Sequence, residues 1–245
     1  MLLVVNDVRK SFGGVKALRG VSFNVEEGEM VGLVGPNGAG KTTLFNVIAG
    51  VYKPDTGTVI YDNKDITGLP PHEIIKRGIS RTFQVVRLFD NMSVIDNIAL
   101  PLLFVKGTSL KNAREAALEF IELVGLKGKE YTPIGSLTLQ EKRRVELARA
   151  LVTRPRLVLI DEIAAGLRPK ELLKVEDTIR RINKEYMMTV IWVEHHFHSV
   201  AKTCHRIIFL DQGRIIIDDK PEVVAKDPRV IKTYVGEEGG STSSI

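Results

Sequence analysis

The sequence predicts an α/β fold with a parallel central sheet and a helical subdomain inserted into its core. Two observations lead to this prediction. Short apolar segments alternate with amphipathic helical segments after residue 153, which is typical of a parallel central sheet. From about residue 88 to residue 153 the pattern is mostly helical, so this stretch is expected to interrupt the sheet as an inserted subdomain. The whole domain is expected to span residues 1–236.

The N-terminal elements follow from apolar segments bounded by glycines and charged turns. A helix is predicted over residues 40–49, and Gly50, the next residue, ends it. A short strand at 58–61 follows the turn formed by residues 54–57. The other strands of this part are predicted at 2–6, 21–25 and 30–34.

The remaining elements follow from helical periodicity and from buried apolar segments. Amphipathic helices are expected over about residues 110–124 and 138–152, and a further helix over 170–186. A helix is also expected in the segment that ends at Cys204. The polar, small residues 237–245 predict a disordered tail. Strands are expected at 157–160, 189–193, 206–210 and 214–218, the last two joined by a hairpin turn.

The composition is that of an ordinary globular chain. Of its 245 residues, 44% are hydrophobic and 27% are charged, which excludes a disordered or collagen-like chain. The single cysteine, Cys204, excludes an internal disulfide and any multi-cysteine metal site. The longest apolar run, residues 98–105, is far shorter than the roughly 20 residues needed to cross a bilayer. No basic region precedes the first apolar run, so a signal peptide is not expected and the chain is expected to be soluble and cytoplasmic.

A glycine-rich loop between a predicted strand and a predicted helix matches the phosphate-binding pattern G-x-x-x-x-G-K-[ST]. Small residues let backbone N–H groups approach oxyanions, and the helix N-terminus adds a favourable dipole. Lys41 is expected to bridge the β- and γ-phosphates of a nucleotide, and the Thr42 hydroxyl is expected to bind Mg²⁺. The residues predicted to bind the nucleotide here are Gly35, Pro36, Asn37, Gly38, Ala39, Gly40, Lys41, Thr42 and Thr43.

An acidic pair, Asp161 and Glu162, follows the apolar strand predicted at residues 157–160. A phosphate loop needs an acid that organises the metal, and the end of a buried strand places Asp161 where it can reach Mg²⁺. Glu162 is predicted to be the general base that polarises the attacking water. A strand followed by an ordinary charged turn would explain the pair if it stood alone. The phosphate loop upstream favours the catalytic interpretation.

These motifs, together with three further ones, resemble those of ATP-binding cassette (ABC) ATPases from Leu2 to about Gly236. The resemblance implies a P-loop NTPase that binds ATP and Mg²⁺ and has a RecA-like core and an N-terminal antiparallel β subdomain. Phe12 matches the aromatic residue that stacks on adenine, and Gln84 matches the Q-loop glutamine that senses the metal and the γ-phosphate. His195 matches the switch histidine that hydrogen bonds the γ-phosphate or the attacking water. The resemblance implies the metal ligands Thr42, Gln84 and Asp161 and the catalytic residues Lys41, Gln84, Glu162 and His195.

The family's signature loop, L-S-G-G-Q, is altered in this chain. Its counterpart is residues 137–141, where Thr138 keeps a hydroxyl and both glycines are absent. In the family the signature helix points its N-terminus at the ATP of the opposite subunit, so the resemblance implies that Thr138 binds a γ-phosphate across a dimer. The sequence T-x-x-E, which ends at Glu141, is also a capping box that starts a helix in its own right. The altered loop suits a heterodimer with two unequal ATP sites, while a homodimer stays open.

Longer stretches resemble the LivG-type ATPase subunits of branched-chain amino acid importers. They cover residues 11–18, 66–72, 81–89 and 227–236. The resemblance implies that ATP closes a dimer of cassettes and that hydrolysis reopens it, which powers import. The implied partners are transmembrane permease subunits and a second, similar ATPase, with an extracytoplasmic solute-binding protein as an indirect partner. The chain would then be a peripheral protein at the cytoplasmic face of the cell membrane.

Three other functions stay open on the residues alone. An ABC exporter ATPase for lipid or polysaccharide has the same motifs and is the nearest alternative. A DNA-associated ABC ATPase would suit the net charge of +5. Such proteins usually insert long coiled coils, and this sequence has no long heptad run, so no nucleic-acid partner is expected. A regulatory subunit with little hydrolysis would suit the altered signature.

Overall fold

Strands and helices alternate along much of the chain, which divides into two units. The computed structural model describes residues 1–163, 168–194 and 197–238. One unit comprises Met1–Leu69 and Trp192–Ile245, and the other comprises Pro70–Ile191. The strands of the described residues are β1 (Leu3–Phe12), β2 (Val15–Val25), β3 (Met30–Val34), β4 (Thr56–Tyr61), β5 (Lys64–Asp65), β6 (Ile79–Arg81), β7 (Leu157–Asp161), β8 (Thr189–Val193), β9 (Arg206–Asp211) and β10 (Arg214–Asp219). Their helices are α1 (Lys41–Ile48), α2 (Pro71–Lys76), α3 (Val94–Lys106), α4 (Leu110–Leu123), α5 (Leu139–Leu151), α6 (Pro169–Tyr186), α7 (Phe197–Thr203), α8 (Pro221–Val224) and α9 (Pro228–Glu238).

The first unit contains the antiparallel sheet that the sequence predicts at the N-terminus. Its strand order is β2-β1-β4-β5. β1 lies in the middle, where Leu3 pairs with Val25 on one side and with Tyr61 on the other. β1 and β2 are longer than the predicted strands because their polar halves also pair, across a tight turn after Phe12 in which Gly13 has a φ of 55°. This turn brings the end of β1 to the surface.

A second group of strands in the first unit leads to the glycine-rich loop. β3 pairs in parallel with β9, and β9 forms an antiparallel hairpin with β10. All five residues of β3 are buried, which explains its uninterrupted apolar sequence. Helix α7 packs against β3 at Gly32, where a Cβ would lie 2.0 Å from Val200 Cγ1. The loop begins directly after β3, and α1 follows the loop.

The second unit combines a parallel strand pair with the predicted helical stretch. β6 pairs in parallel with β7, with Ile79 opposite Leu157, and every residue of β7 is buried. Helices α3, α4 and α5 pack on one another. The bounds of α4 and α5 agree with the predicted helices to within one residue. No element was predicted for residues 71–81, where the structure has α2 and β6.

The C-terminal helix α9 ends at Glu238, two residues into the segment that the sequence predicts as a tail. Residues 239–245 lie outside the described part of the chain. Strand β8 falls on the division between the two units. Among the helices of the described residues, none has both the length and the apolar character that a membrane span requires.

Candidate active site

The glycine-rich loop, residues 35–42, connects β3 to α1 in the first unit. A Cβ at Gly35 would lie 1.9 Å from the carbonyl oxygen of Leu210, and one at Gly40 would lie 2.6 Å from that of Ala17. The two glycines have φ values of 152° and 108°, which side chains disfavour. Because the backbone of other strands approaches the loop this closely, only glycine fits at these two positions.

The tip of the loop and the start of α1 face solvent. Asn37, Gly38 and Thr42 are exposed, and Thr43 is partly exposed. The residue before α1 is Gly40, which has no side chain, so no side-chain cap occupies the helix N-terminus. Unpaired N–H groups of a first helical turn attract anions. The arrangement suits a phosphate chain that lies over the loop.

Lys41, the first residue of α1, places its charge inside the loop. Its side chain is only 5% exposed. The Nζ donates hydrogen bonds to the carbonyl oxygens of Gly35, at 2.6 Å, and Pro36, at 2.9 Å. The ammonium is therefore held against the backbone that would surround a phosphate.

Phe12, the predicted adenine-stacking residue, ends β1 and is 43% exposed. Its ring meets the Tyr52 ring edge to face, with centroids 5.1 Å apart and planes at 68°. Lys10 Nζ lies 5.6 Å from the centroid of the Phe12 ring. These contacts orient the ring while part of its surface stays accessible. Sequence reasoning missed Tyr52, because no motif marks it.

In the second unit the structure brings together Gln84, Asp161 and Glu162. Gln84 Nε2 donates to Glu162 Oε2 at 2.7 Å, across 78 residues of sequence. Asp161 is the last residue of β7, and both acids are buried. Glu162 has a φ of 46°, a left-handed conformation that costs a residue with a side chain about 1–2 kcal/mol. The surrounding contacts must therefore hold Glu162 in place.

Arg81 and Thr82 hold Asp161 from the neighbouring strand. The Asp161 N–H donates to Thr82 Oγ1 at 2.9 Å, and Arg81 Nη2 lies 3.5 Å from Asp161 Oδ2. Because Gln84 follows β6 by three residues, the pairing of β6 with β7 brings Gln84 to the acids. Sequence reasoning missed the parts played by Arg81 and Thr82, although both stand directly before Phe83 and Gln84 in the Q-loop motif.

The predicted metal ligands suit Mg²⁺ chemically. Thr42 offers a hydroxyl, Gln84 an amide oxygen and Asp161 a carboxylate. Magnesium prefers oxygen ligands and is usually bound by one or two carboxylates together with substrate phosphates. Thr42 belongs to the first unit, and Gln84 and Asp161 belong to the second.

The altered signature loop forms the capping box at the start of α5. The Glu141 N–H donates to Thr138 Oγ1 at 3.3 Å, and the Thr138 N–H and hydroxyl donate to Glu141 Oε2 at 2.9 and 3.0 Å. The Lys129 ammonium also hydrogen bonds to Glu141. The Lys129 ammonium and then the Thr138 N–H hold the pKa of Glu141 below its ordinary value. The Glu141 charge is thus balanced by Lys129, and the Thr138 hydroxyl lies at the N-terminus of α5.

The predicted switch histidine, His195, lies outside the described residues. The strand before it, β8, is buried throughout, and Glu194, which follows the strand, is also buried. The role of His195 therefore stays a prediction.

A further buried acid, Glu146, lies on α5 in the second unit and is 2% exposed. Its Oε1 accepts a hydrogen bond from the Arg87 N–H at 3.3 Å, and Arg149 Nη2 lies 3.7 Å from the same oxygen. Burial raises the pKa of Glu146 to about 7 in spite of these partners. Burial therefore favours the neutral form of this carboxyl.

This raised pKa predicts that Glu146 contributes less to stability as the pH rises from 5 to 8. In the folded protein it binds its proton up to a pH of about 7, whereas the unfolded chain releases it near the ordinary value of 4.5. Stability is lost between these two values, by roughly 3 kcal/mol at about 1.4 kcal/mol for each pKa unit. A Glu146→Gln variant should lack this loss. Urea unfolding of both proteins at pH 5 and pH 8 checks it, and an equal pH effect in both would contradict it.

Known proteins match this chain over most or all of its length. Residues 18–165 match the family described as ABC transporter. The high-affinity branched-chain amino acid transport ATP-binding protein BraF of Pseudomonas aeruginosa is 38% identical over 96% of this chain and 98% of its own. The spermidine/putrescine import ATP-binding protein PotA of Mycoplasma capricolum is 33% identical over 100% of this chain and 69% of its own.

A solved structure agrees with the sequence relatives. The dimeric ATP-binding cassette MJ0796, in a post-hydrolysis state bound to ADP and Pi, has a TM-score of 0.83 and 30% identity, and the match covers 90% of this chain and 99% of that one. The predicted ABC ATPase fold is confirmed by this match and by the family match. The chain belongs to the ABC transporter family, among its ATP-binding cassettes.

Proposed function

We propose that this chain is the ATP-hydrolysing subunit of a transporter that imports branched-chain amino acids. The 2.7 Å contact between Gln84 and Glu162, beside Asp161 at the end of a buried strand, is the observation that carries the hydrolytic function. The similarity to BraF over 96% of the chain supports the substrate class. Residues 1–236 form the nucleotide-binding domain, and residues 88–153 form its helical subdomain.

ATP binds through its base at Phe12 and through its phosphates at the glycine-rich loop. The exposed part of the Phe12 ring stacks on adenine, since Tyr52 already fixes the ring from its edge. Backbone N–H groups within residues 35–43, where Pro36 has none, donate hydrogen bonds to the phosphate oxygens, and the Lys41 ammonium offsets their charge. Thr42, Gln84 and Asp161 hold Mg²⁺, which when bound shields the charge of the β- and γ-phosphates.

Hydrolysis is the attack of a water molecule on the γ-phosphorus of ATP, which breaks the bond between that phosphorus and the β–γ bridging oxygen and releases ADP and phosphate. Glu162, which directly follows β7 in a left-handed backbone conformation, accepts a proton from this water. The Gln84 amide fixes the Glu162 carboxylate through the hydrogen bond between them. Lys41 offsets the negative charge that develops on the phosphate oxygens, and His195 is proposed to bind the γ-phosphate or the water.

Two cassettes act together, with the N-terminus of α5 and Thr138 of one reaching the ATP of the other. The dimeric state of the MJ0796 cassette supports the pairing of two cassettes. The transmembrane permease contacts the segment that follows Gln84, where Val85 is 73% and Phe89 56% exposed. Exposed apolar side chains next to a nucleotide-sensing glutamine suit a partner that responds to ATP. The chain then works at the cytoplasmic face of the membrane, and an extracytoplasmic binding protein delivers the solute.

Solute uptake by cells that lack the gene tests this proposal. Deleting the gene from its native cell should abolish high-affinity uptake of radiolabelled leucine and leave spermidine uptake unchanged. A plasmid copy of the wild type should restore leucine uptake, and a Glu162→Gln copy should not. Lost spermidine uptake with normal leucine uptake would contradict the substrate class and would favour a PotA-like function. Restoration by the Glu162→Gln copy would contradict the coupling to hydrolysis.

A further inference from the structure

Helix α5 carries a buried acid to which the proposed mechanism gives no part. Glu146 is 2% exposed, although it stands among charged residues of a helix whose N-terminus is the signature loop. Acids are seldom buried unless hydrogen bonds or a cation compensate for their lost hydration. The partners of Glu146 therefore indicate what its burial achieves.

Those partners lie on either side of Gln84. The Arg87 N–H donates to Glu146 Oε1 at 3.3 Å, and the backbone of Phe83 lies close enough to lower the pKa of this carboxyl. Both are backbone groups, so the contacts fix the course of the chain and do not depend on those side chains. Arg149, on the same helix as Glu146, supplies a compensating positive charge 3.7 Å away.

The segment that Glu146 holds, residues 83–89, has no helix or strand of its own. At its far end, the Phe89 N–H donates to Asn97 Oδ1 at 2.9 Å, and Asn97 Nδ2 donates to the Phe89 carbonyl at 3.1 Å. The Arg81 and Arg87 guanidinium groups lie 4.5 and 4.9 Å from the Phe83 ring centroid. Glu146 on α5 and Asn97 on α3 thus fasten an irregular segment to the helices at two points.

We propose that Glu146 is a positioning residue for ATP hydrolysis. It accepts a hydrogen bond from the Arg87 N–H, three residues after Gln84, and thereby sets Gln84 at hydrogen-bond distance from Glu162. This inference rests on the proposed hydrolytic function. It also connects α5 to the acid pair, because α5 begins at the signature loop and Glu146 lies two turns further along.

Steady-state phosphate release by the full chain tests the proposal. Glu146→Ala should lower kcat about 10-fold and leave the KM for ATP within about threefold, because the glycine-rich loop and Phe12 are untouched while Gln84 is displaced. Glu146→Gln, whose amide oxygen still accepts N–H hydrogen bonds, should keep kcat within about threefold of the wild type. Glu176→Ala is the matched control, because Glu176 is an equally buried helical acid that pairs with Arg180 on its own helix.

A second pair of variants separates positioning from general destabilisation. In a Gln84→Ala background, Glu146→Ala should reduce kcat by no more than about twofold, since Glu146 acts through Gln84. Glu146→Asp keeps a carboxyl group but shortens the side chain by one methylene, which moves its oxygens away from the Arg87 N–H. It should speed amide hydrogen exchange in residues 83–89 and leave that of α5 unchanged.

Several outcomes would overturn the proposal. A kcat loss in Glu146→Ala no larger than in Glu176→Ala, or an undiminished loss in the Gln84→Ala background, would show that Glu146 does not act through Gln84. A raised KM with an unchanged kcat would assign Glu146 to ATP binding instead. Failure of the proposed function itself would appear differently, as an absence of hydrolysis in the wild type.

Discussion

A Glu162→Gln variant should bind ATP as the wild type does and should hydrolyse it about 10²–10⁴-fold more slowly, the contribution typical of a general base. Glutamine has the shape of glutamate but cannot take a proton from water. Its side-chain oxygen still accepts the hydrogen bond from Gln84 Nε2, which is 2.7 Å long in the wild type, so the local structure should survive. Phosphate release and the Kd for ATP, measured on the same preparation, check both parts of this expectation.

The control for this variant is Glu185→Gln, which makes the same chemical change at an exposed acid that pairs with Arg181 on α6. Its kcat should stay within about twofold of the wild type, as is usual for surface substitutions. Turnover in Glu162→Gln that equals turnover in Glu185→Gln would remove Glu162 from the role of base. The proposed mechanism would then have no group that accepts the proton of the attacking water.

A Lys41→Met variant should weaken ATP binding by about 100-fold, since a charge-assisted hydrogen bond is worth up to about 3 kcal/mol. Methionine is similar in size to the aliphatic part of lysine but lacks the ammonium, which in the wild type lies within 2.9 Å of two loop carbonyl oxygens. Because the charge is buried, its loss should not lower the stability of the nucleotide-free protein by more than about 1 kcal/mol. Titration calorimetry with ATP measures the affinity, and urea unfolding measures the stability.

Lys64→Met is the matched control for Lys41→Met, because Lys64 is an exposed lysine of β5 in the same unit. It should bind ATP as tightly as the wild type. An unchanged affinity in Lys41→Met would contradict the placement of the phosphates at the glycine-rich loop. An affinity lost equally in both variants would indicate a nonspecific effect of net charge.

Local chemistry made much of the fold predictable. The strand over residues 30–34 is uniformly apolar and the helix over 110–124 has strong periodicity, and the structure has β3 and α4 there. The T-x-x-E sequence predicted a capping box that α5 has. β6 has only three residues, two of them polar, and its pairing with β7 joins segments far apart in sequence. No local pattern marks such a strand.

Some residues of the candidate site could likewise be predicted from local sequence, and others could not. The glycine-rich loop is contiguous, so its sequence pattern alone indicates phosphate binding. The contact between Gln84 and Glu162 spans 78 residues, and only the resemblance to a family indicated it. Glu146 was missed because a charged residue in a helix is ordinarily exposed, and its partners are backbone groups that carry no sequence signal. The one feature of the sequence that hints at its burial is Arg149, a cation that follows it by three residues on the same helix.

The central claim is that this chain uses the glycine-rich loop and the acid pair to hydrolyse ATP between two cassettes. Phosphate release from Mg·ATP by the purified wild-type chain, measured over a wide range of protein concentrations, tests it most directly. The total rate should rise more steeply than linearly with protein concentration, because two copies must meet to complete each site. Tight ATP binding without phosphate release at any concentration would contradict the claim.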